Sequence, residues 1–130
     1  MSEWSHLPNA ALIDWVIQDL KDNSSDWDAA HRGAARDAAY QAAYYAARGA
    51  AHLAARGAAR GAARDAGYLA AYHACLALIA YDHAGALFDR PLDQVRVMAY
   101  LGQPAAILLL PACVLWAKEK HVLMAASERP

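Results

Sequence analysis

Threonine is absent from this chain, phenylalanine occurs once, and serine stands only at positions 2, 5, 24, 25 and 127. Residues that suit the pleated, half-buried surface of a strand are thus scarce, which excludes a β-rich fold. An ice-binding rod, the first thought for an alanine-rich helix, is set aside by the missing threonine and by the charge carried at every fourth position. Cysteine is scarce as well. Cys75 and Cys113 are isolated, without the density of a disulfide scaffold, and each is expected as a small core residue. With no signal-peptide pattern at the start, a reducing cytoplasm is the expected compartment. The longest apolar run, Ala105 to Ala117, has 13 residues with Pro111 inside it, against the ~20 that a membrane helix needs. A soluble protein with no membrane partner is expected.

Turn signals are missing from a long stretch too: between Asp28 and Tyr81 there is no proline, no Asn-Gly and no polar cluster. Alanine fills it. The chain holds 35 alanines in 130 residues, and Ala-Ala pairs recur at 34/35, 38/39, 42/43, 46/47, 50/51, 54/55, 58/59, 62/63 and 70/71. Alanine loses no side-chain freedom on helix formation, so this region is expected to be helical with or without tertiary help. The literal reading is one helix over 26–84, with a break near 49 or over 57–61 as the alternative. Gly33, Gly49, Gly57, Gly61 and Gly67 each weaken it by about 1 kcal/mol relative to alanine. Close packing of another chain over those points is the favoured explanation. Alanine also buries little area, which makes a poor monomer core but a good helix-to-helix seam. A homo-oligomer is therefore expected.

Shorter helices are expected on either side, giving a single all-α domain over 1–130 with the long Ala-rich helix at its centre. An amphipathic helix over 8–22 has Ser5 as its cap and presents Leu12, Ile13, Trp15, Val16, Ile17 and Leu20 as its apolar face, and Asn23 can close it in the left-handed conformation. A helix over 91–101, capped by Asp89 and stopped by Gly102, places Leu92, Val95, Met98 and Leu101 on one side. The last, over 104–122, must kink or restart at Pro111.

Positions at multiples of four within the tetrads read Arg32, Arg36, Tyr40, Tyr44, Arg48, His52, Arg56, Arg60, Arg64, Tyr68 and Tyr72. A strict repeat of four drifts by ~40° per step, so the row winds around a helix, but three successive members stay within ~80° of one another. Arg56, Arg60 and Arg64 thus form one patch, with Tyr68 and Tyr72 following as stacking surfaces. Guanidinium forks and aromatic faces are the ingredients for a nucleotide, the ligand hypothesis for this row. The plain alternative is a solvated helix face.

Net charge is near zero yet unevenly placed: residues 1–28 sum to −5 and residues 29–65 to +4. An acidic head precedes a basic rod. Asp14, Asp19 and Asp22, with Arg48, are the candidate contacts for a protein partner. One arginine row on a near-neutral chain is a thin footprint for duplex DNA, which is not expected as a partner.

Metal and enzyme readings find little. His31, His52, His73, His83 and His121 place no two ligands at i and i+4 on a common face, so no metal and no cofactor are expected. Asp82 and His83 are sequence neighbours that would not face each other on a helix, and no nucleophile accompanies them. An enzyme is not expected.

The segments Ala74-Cys75-Leu76-Ala77-Leu78-Ile79-Ala80-Tyr81-Asp82 and Ala106-Ile107-Leu108-Leu109-Leu110-Pro111-Ala112, together with the Asp26-Trp27-Asp28-Ala29-Ala30 entry into Ala-Ala-Arg-Asp tetrads, resemble uncharacterised alanine-rich proteins of tailed bacteriophages. The likeness covers most of residues 10–117. A fainter one, in the tetrads alone, is to bacterial immunity proteins. Neither offers catalytic residues; what the resemblance implies is a phage or mobile-element setting and a host bacterial cytoplasm. Two roles of different class follow. One is a non-enzymatic accessory protein that binds and blocks a host or defence macromolecule; the other is an oligomeric nucleotide sponge using the Arg/Tyr row. A structural helical assembly is the third.

Overall fold

The computed structural model describes residues 3–32, 41–44, 46, 53–65 and 69–127, without the side chains of 28, 31, 32, 64, 65 and 121–127. Its helices are α1 (Ala10–Asp22), α2 (Ser24–Arg32), α3 (Leu53–Asp65), α4 (Leu69–Ala80), a 3-10 helix (Ala84–Asp89), α5 (Leu92–Tyr100) and α6 (Pro104–Ser127). Residues 41–44 and 46 are helical as well, and no strand occurs among the described residues. The fold is all-α, as composition requires.

Of the helix expected over 26–84, the described residues carry most of α2, residues 41–44 and 46, α3 and α4, with residues 66–68 between the last two outside those described. Helices α3 and α4 pack against each other. The expected break over 57–61 does not occur, since α3 passes straight through it; one near 49 lies outside the described residues. The reason for this packing is energetic. Propensity favours helix along the whole stretch, but tertiary burial of an apolar face supplies most of a helix's stability, and packing of α3 on α4 obtains that burial where a solvated helix cannot.

The centre of the molecule is α4, at the end of the alanine region. It is apolar on every side, and such a helix belongs in the interior. Ala70, Ala71 and every residue from His73 to Ile79 are buried, enclosed by α1, α2, α3, α6 and the 3-10 helix. Ile13, Val16 and Leu20 of α1, Trp27 of α2, Val95 of α5 and Leu108 and Leu109 of α6 complete this core. The tetrads contribute modestly: in α3 one alanine of each pair, Ala55, Ala59 and Ala63, is buried, and the i, i+4, i+8 spacing puts all three on one face. Gly57 and Gly61 have open space where a Cβ would stand. Among the described residues nothing packs closely over them.

The ends of the elements are settled by side chains the sequence placed otherwise. Helix α1 starts at Ala10 rather than 8, with no side-chain cap from Ser5 or from Asn9. Asn9 instead reaches across the molecule, its Nδ2 donating to the carbonyls of Leu78, Tyr81 and Asp82 at 2.9, 3.1 and 3.2 Å. The Leu78 carbonyl belongs to the last turn of α4 and has no helical partner, whereas the Tyr81 carbonyl also accepts the Ala84 N–H at 3.0 Å. Gly85 makes room for this, since a Cβ there would lie 2.5 Å from Asn9 Oδ1. Asn23 is not left-handed, with φ −133°; its N–H closes α1 on the Asp19 carbonyl at 2.7 Å. Helix α5 ends as expected at Gly102, whose φ of 89° suits glycine. There Gln103 N–H donates to Met98 and Gly102 N–H to Ala99, both at 3.0 Å, a Schellman closure. Asp89 does not cap α5, where Pro91 stands at the N-cap. Helix α6 continues past Pro111 without a restart and extends to Ser127.

Candidate functional site

The expected Arg/Tyr row is divided between two helices. Arg56 and Arg60 lie on α3, the first half-buried and the second exposed, while half-buried Tyr72 lies on α4 with its ring 6.1 Å from that of His73. The side chain of Arg64, and Tyr68 and Arg48 altogether, lie outside the described residues. The acids of α1 also differ from one another. Asp14 is exposed and accepts the indole N–H of Trp4 at 2.7 Å, and exposed Asp22 accepts from Gln18 at 3.1 Å. Asp19 is only 6% exposed, which removes it from the surface contact expected of it. Its two oxygens accept from Trp27 Nε1 and Asn23 Nδ2, both at 2.9 Å. A charge count treats all acids alike; the signal for Asp19 was Trp27, whose buried N–H needs an acceptor.

Around Asp19 stands a cluster that the sequence reading missed. Trp15 of α1, Trp27 of α2, Phe88 of the 3-10 helix and Trp116 of α6 gather their rings. Trp15 lies 6.2 Å from Trp27, 6.0 Å from Phe88 and 5.0 Å from Trp116, and Phe88 lies 5.5 Å from Trp116. Three of these contacts are edge-on, the geometry that ring quadrupoles favour. Trp15 Nε1 donates to Glu119 Oε2 at 3.2 Å. The Glu119 carboxyl is pushed up to about 7 by burial, then by the hydrogen bond and charge of Asp19, against a lowering by Trp15 and with a further push from Asp26. Asp26 itself lies 3.7 Å from Lys118 Nζ.

A second feature is an uncovered apolar face. Val97, Tyr100 and Leu101 are 56%, 91% and 76% exposed. They stand at i, i+3 and i+4 on one side of α5. Leu101 was expected inward with Val95; it is the C-cap residue of α5 and faces out.

Two open clefts border this region, both edged by Arg90. One, of about 340 Å³, is floored by Phe88, Leu92, Cys113 and Trp116. The other, of about 680 Å³, contains Tyr81, Asp82, His83 and Gln103. Asp82, His83, Arg90 and Gln103 are all exposed, so neither cleft presents a desolvated charged group. The thiols offer no nucleophile at neutral pH, since burial pushes Cys113 up to about 12 and Cys75 further in the same direction. Among the described residues no helix is long and apolar enough to cross a membrane. Compared with known proteins, the chain matches no family model, no curated protein and no solved structure, so any function has to be argued from these surfaces.

Proposed function

We propose that this chain is a non-enzymatic binding module that engages and blocks a host or defence macromolecule through a helical surface, and that the contact is the outer face of α5. The observation that carries this reading is the exposure of Val97, Tyr100 and Leu101 side by side. A contiguous exposed apolar patch marks a place where another molecule docks, and tyrosine supplies a rigid anchor with a polar tip. The phage setting implied by the resemblance makes a host protein the natural partner. Exposed Asp14, Asp22 and Arg60 lie outside this patch and serve orientation rather than adhesion.

The test compares two baits in host lysate, the wild-type chain and a Val97→Asp, Leu101→Asp variant. The expected result is one stoichiometric protein held by the first and lost by the second, with circular dichroism unchanged. Equal capture by both baits would place the contact elsewhere. A bound ultraviolet-absorbing small molecule in place of a protein would favour the nucleotide reading, and an Arg60→Ala variant would then lose it.

A further inference from the structure

Helix α6 lends one stripe to the cleft of about 340 Å³: Cys113, Trp116 and Lys120 stand at i, i+3 and i+7, and all three line it. Much of the remaining lining comes from the turn that leads out of the 3-10 helix into α5, with Phe88, Asp89, Arg90 and Leu92. Phe88 and Cys113 are buried and Leu92 and Trp116 half-buried, which makes the floor apolar. Asp89, Arg90 and Lys120 are exposed, so the charge lies on the rim, two cations against one carboxylate. An apolar floor with a few polar groups around its mouth is the usual form of a small-molecule site, and roughly 300 Å³ is the lower end of the range such sites span. A single aromatic ring suits it.

Trp116 differs from the other three indoles of the chain. Trp4, Trp15 and Trp27 each donate Nε1–H to a carboxylate, that of Asp14 at 2.7 Å, Glu119 at 3.2 Å and Asp19 at 2.9 Å. The Nε1 of Trp116 is buried and has no hydrogen-bond partner among the described residues, an uncommon condition for a buried N–H. We propose that this cleft binds a small aromatic carboxylate, with its ring on the floor of Phe88, Leu92 and Trp116 and its carboxylate at the rim of Arg90 and Lys120. The Trp116 N–H is covered on the present surface, so a slight turn of its half-exposed ring brings it to the bound acid. A guanidinium and an ammonium both form charge-assisted bonds to a carboxylate, but exposed groups add little each. The floor therefore supplies most of the affinity, and the rim supplies the preference for an acid over a neutral or cationic relative. Val97, Tyr100 and Leu101 take no part in this cleft, so the site stands apart from the protein contact proposed for α5.

Phenylacetate, phenylacetamide and phenethylamine share a ring and differ in charge, and titrating each into the full chain tests the site. The reporter is the Trp116 indole N–H resonance, which phenylacetate should shift saturably with a dissociation constant in the millimolar range. Phenylacetamide should bind about threefold more weakly, and phenethylamine more weakly still. Arg90→Gln and Lys120→Gln change exposed side chains and should leave the fold intact. Each should weaken phenylacetate about threefold and leave phenylacetamide unchanged. A Trp116 resonance that phenylacetate does not move, equal binding of the three compounds, or variants that weaken acid and amide alike would each overturn the proposal.

Discussion

Helices α3 and α4 are near neighbours in sequence and share a taste for alanine, yet they are opposites in the folded chain. Among the described side chains of α3 the buried ones are alanines alone, Ala55, Ala59 and Ala63, with arginine, glycine and alanine between them. In α4 the alanines are interleaved with Cys75, Leu76, Leu78 and Ile79, all of them buried. Helix propensity is high in both; what separates them is the area each removes from water, worth roughly 25 cal/mol per Å² of apolar surface. One helix is a smooth strip laid on the core, and the other is the core.

The contrast can be broken most sharply from the α4 side. Leu76→Ala should lower unfolding free energy by about 2 to 5 kcal/mol, because a 1% exposed leucine leaves a cavity its neighbours fill only in part. Denaturant titration is the check, and a loss below about 1 kcal/mol would mean that α4 is not the core. Next in size is Gly85→Ala, where the new Cβ meets Asn9 Oδ1 at 2.5 Å. Displacing Asn9 takes the donor from the Leu78 carbonyl in the last turn of α4, a loss of about 1 to 3 kcal/mol. Hydrogen exchange at the last turn of α4 should rise with it.

Ala59→Leu approaches from the other helix. Overpacking the 0% exposed contact with α4 should lower stability by about 1 to 3 kcal/mol, whereas the same change at exposed Ala54 should have little effect. The smallest expected effect has the opposite sign. Gly57→Ala and Gly61→Ala place methyl groups in open space and should each raise stability by about 0.5 to 1 kcal/mol. This pair also sharpens the comparison, for if light scattering finds a particle heavier than the 14.0 kDa chain and the double variant dissociates it, then α3 is a seam between copies and its glycines are there for contact.

How far the sequence could be read follows from the same physics. The missing threonine and the alanine repeat were enough for the all-α class, and the faces of α1 and α5 were legible because their apolar residues recur at helical spacing: Ile13, Val16, Leu20 and Val95 are where periodicity puts them. The packing of α3 on α4 was not legible, because a four-residue alanine repeat carries no information about which helix faces which. Leu101 was misassigned because successive steps of three drift ~60° each around a helix, which leaves it ~120° from Val95 and beside exposed Val97. The carboxyl and indole cluster was illegible for a different reason. Its members, at 15, 19, 27, 88, 116 and 119, are brought together only by tertiary packing, and no local spacing announces that Asp19 faces inward.

Asn9 carries a consequence for how the molecule is made and handled. The carbonyl it caps at Leu78 lies 69 residues further along, so the finishing contact of the innermost helix is held by a residue that leaves the ribosome long before that helix exists. Closing so long a loop is entropically expensive, which puts this contact late in assembly. The opening residues of a chain are commonly treated as dispensable, free to be trimmed or fused to a tag. Here Trp4, Leu7 and Asn9 are buried parts of the interior, and a cut just after Asn9 would reach the centre of the protein.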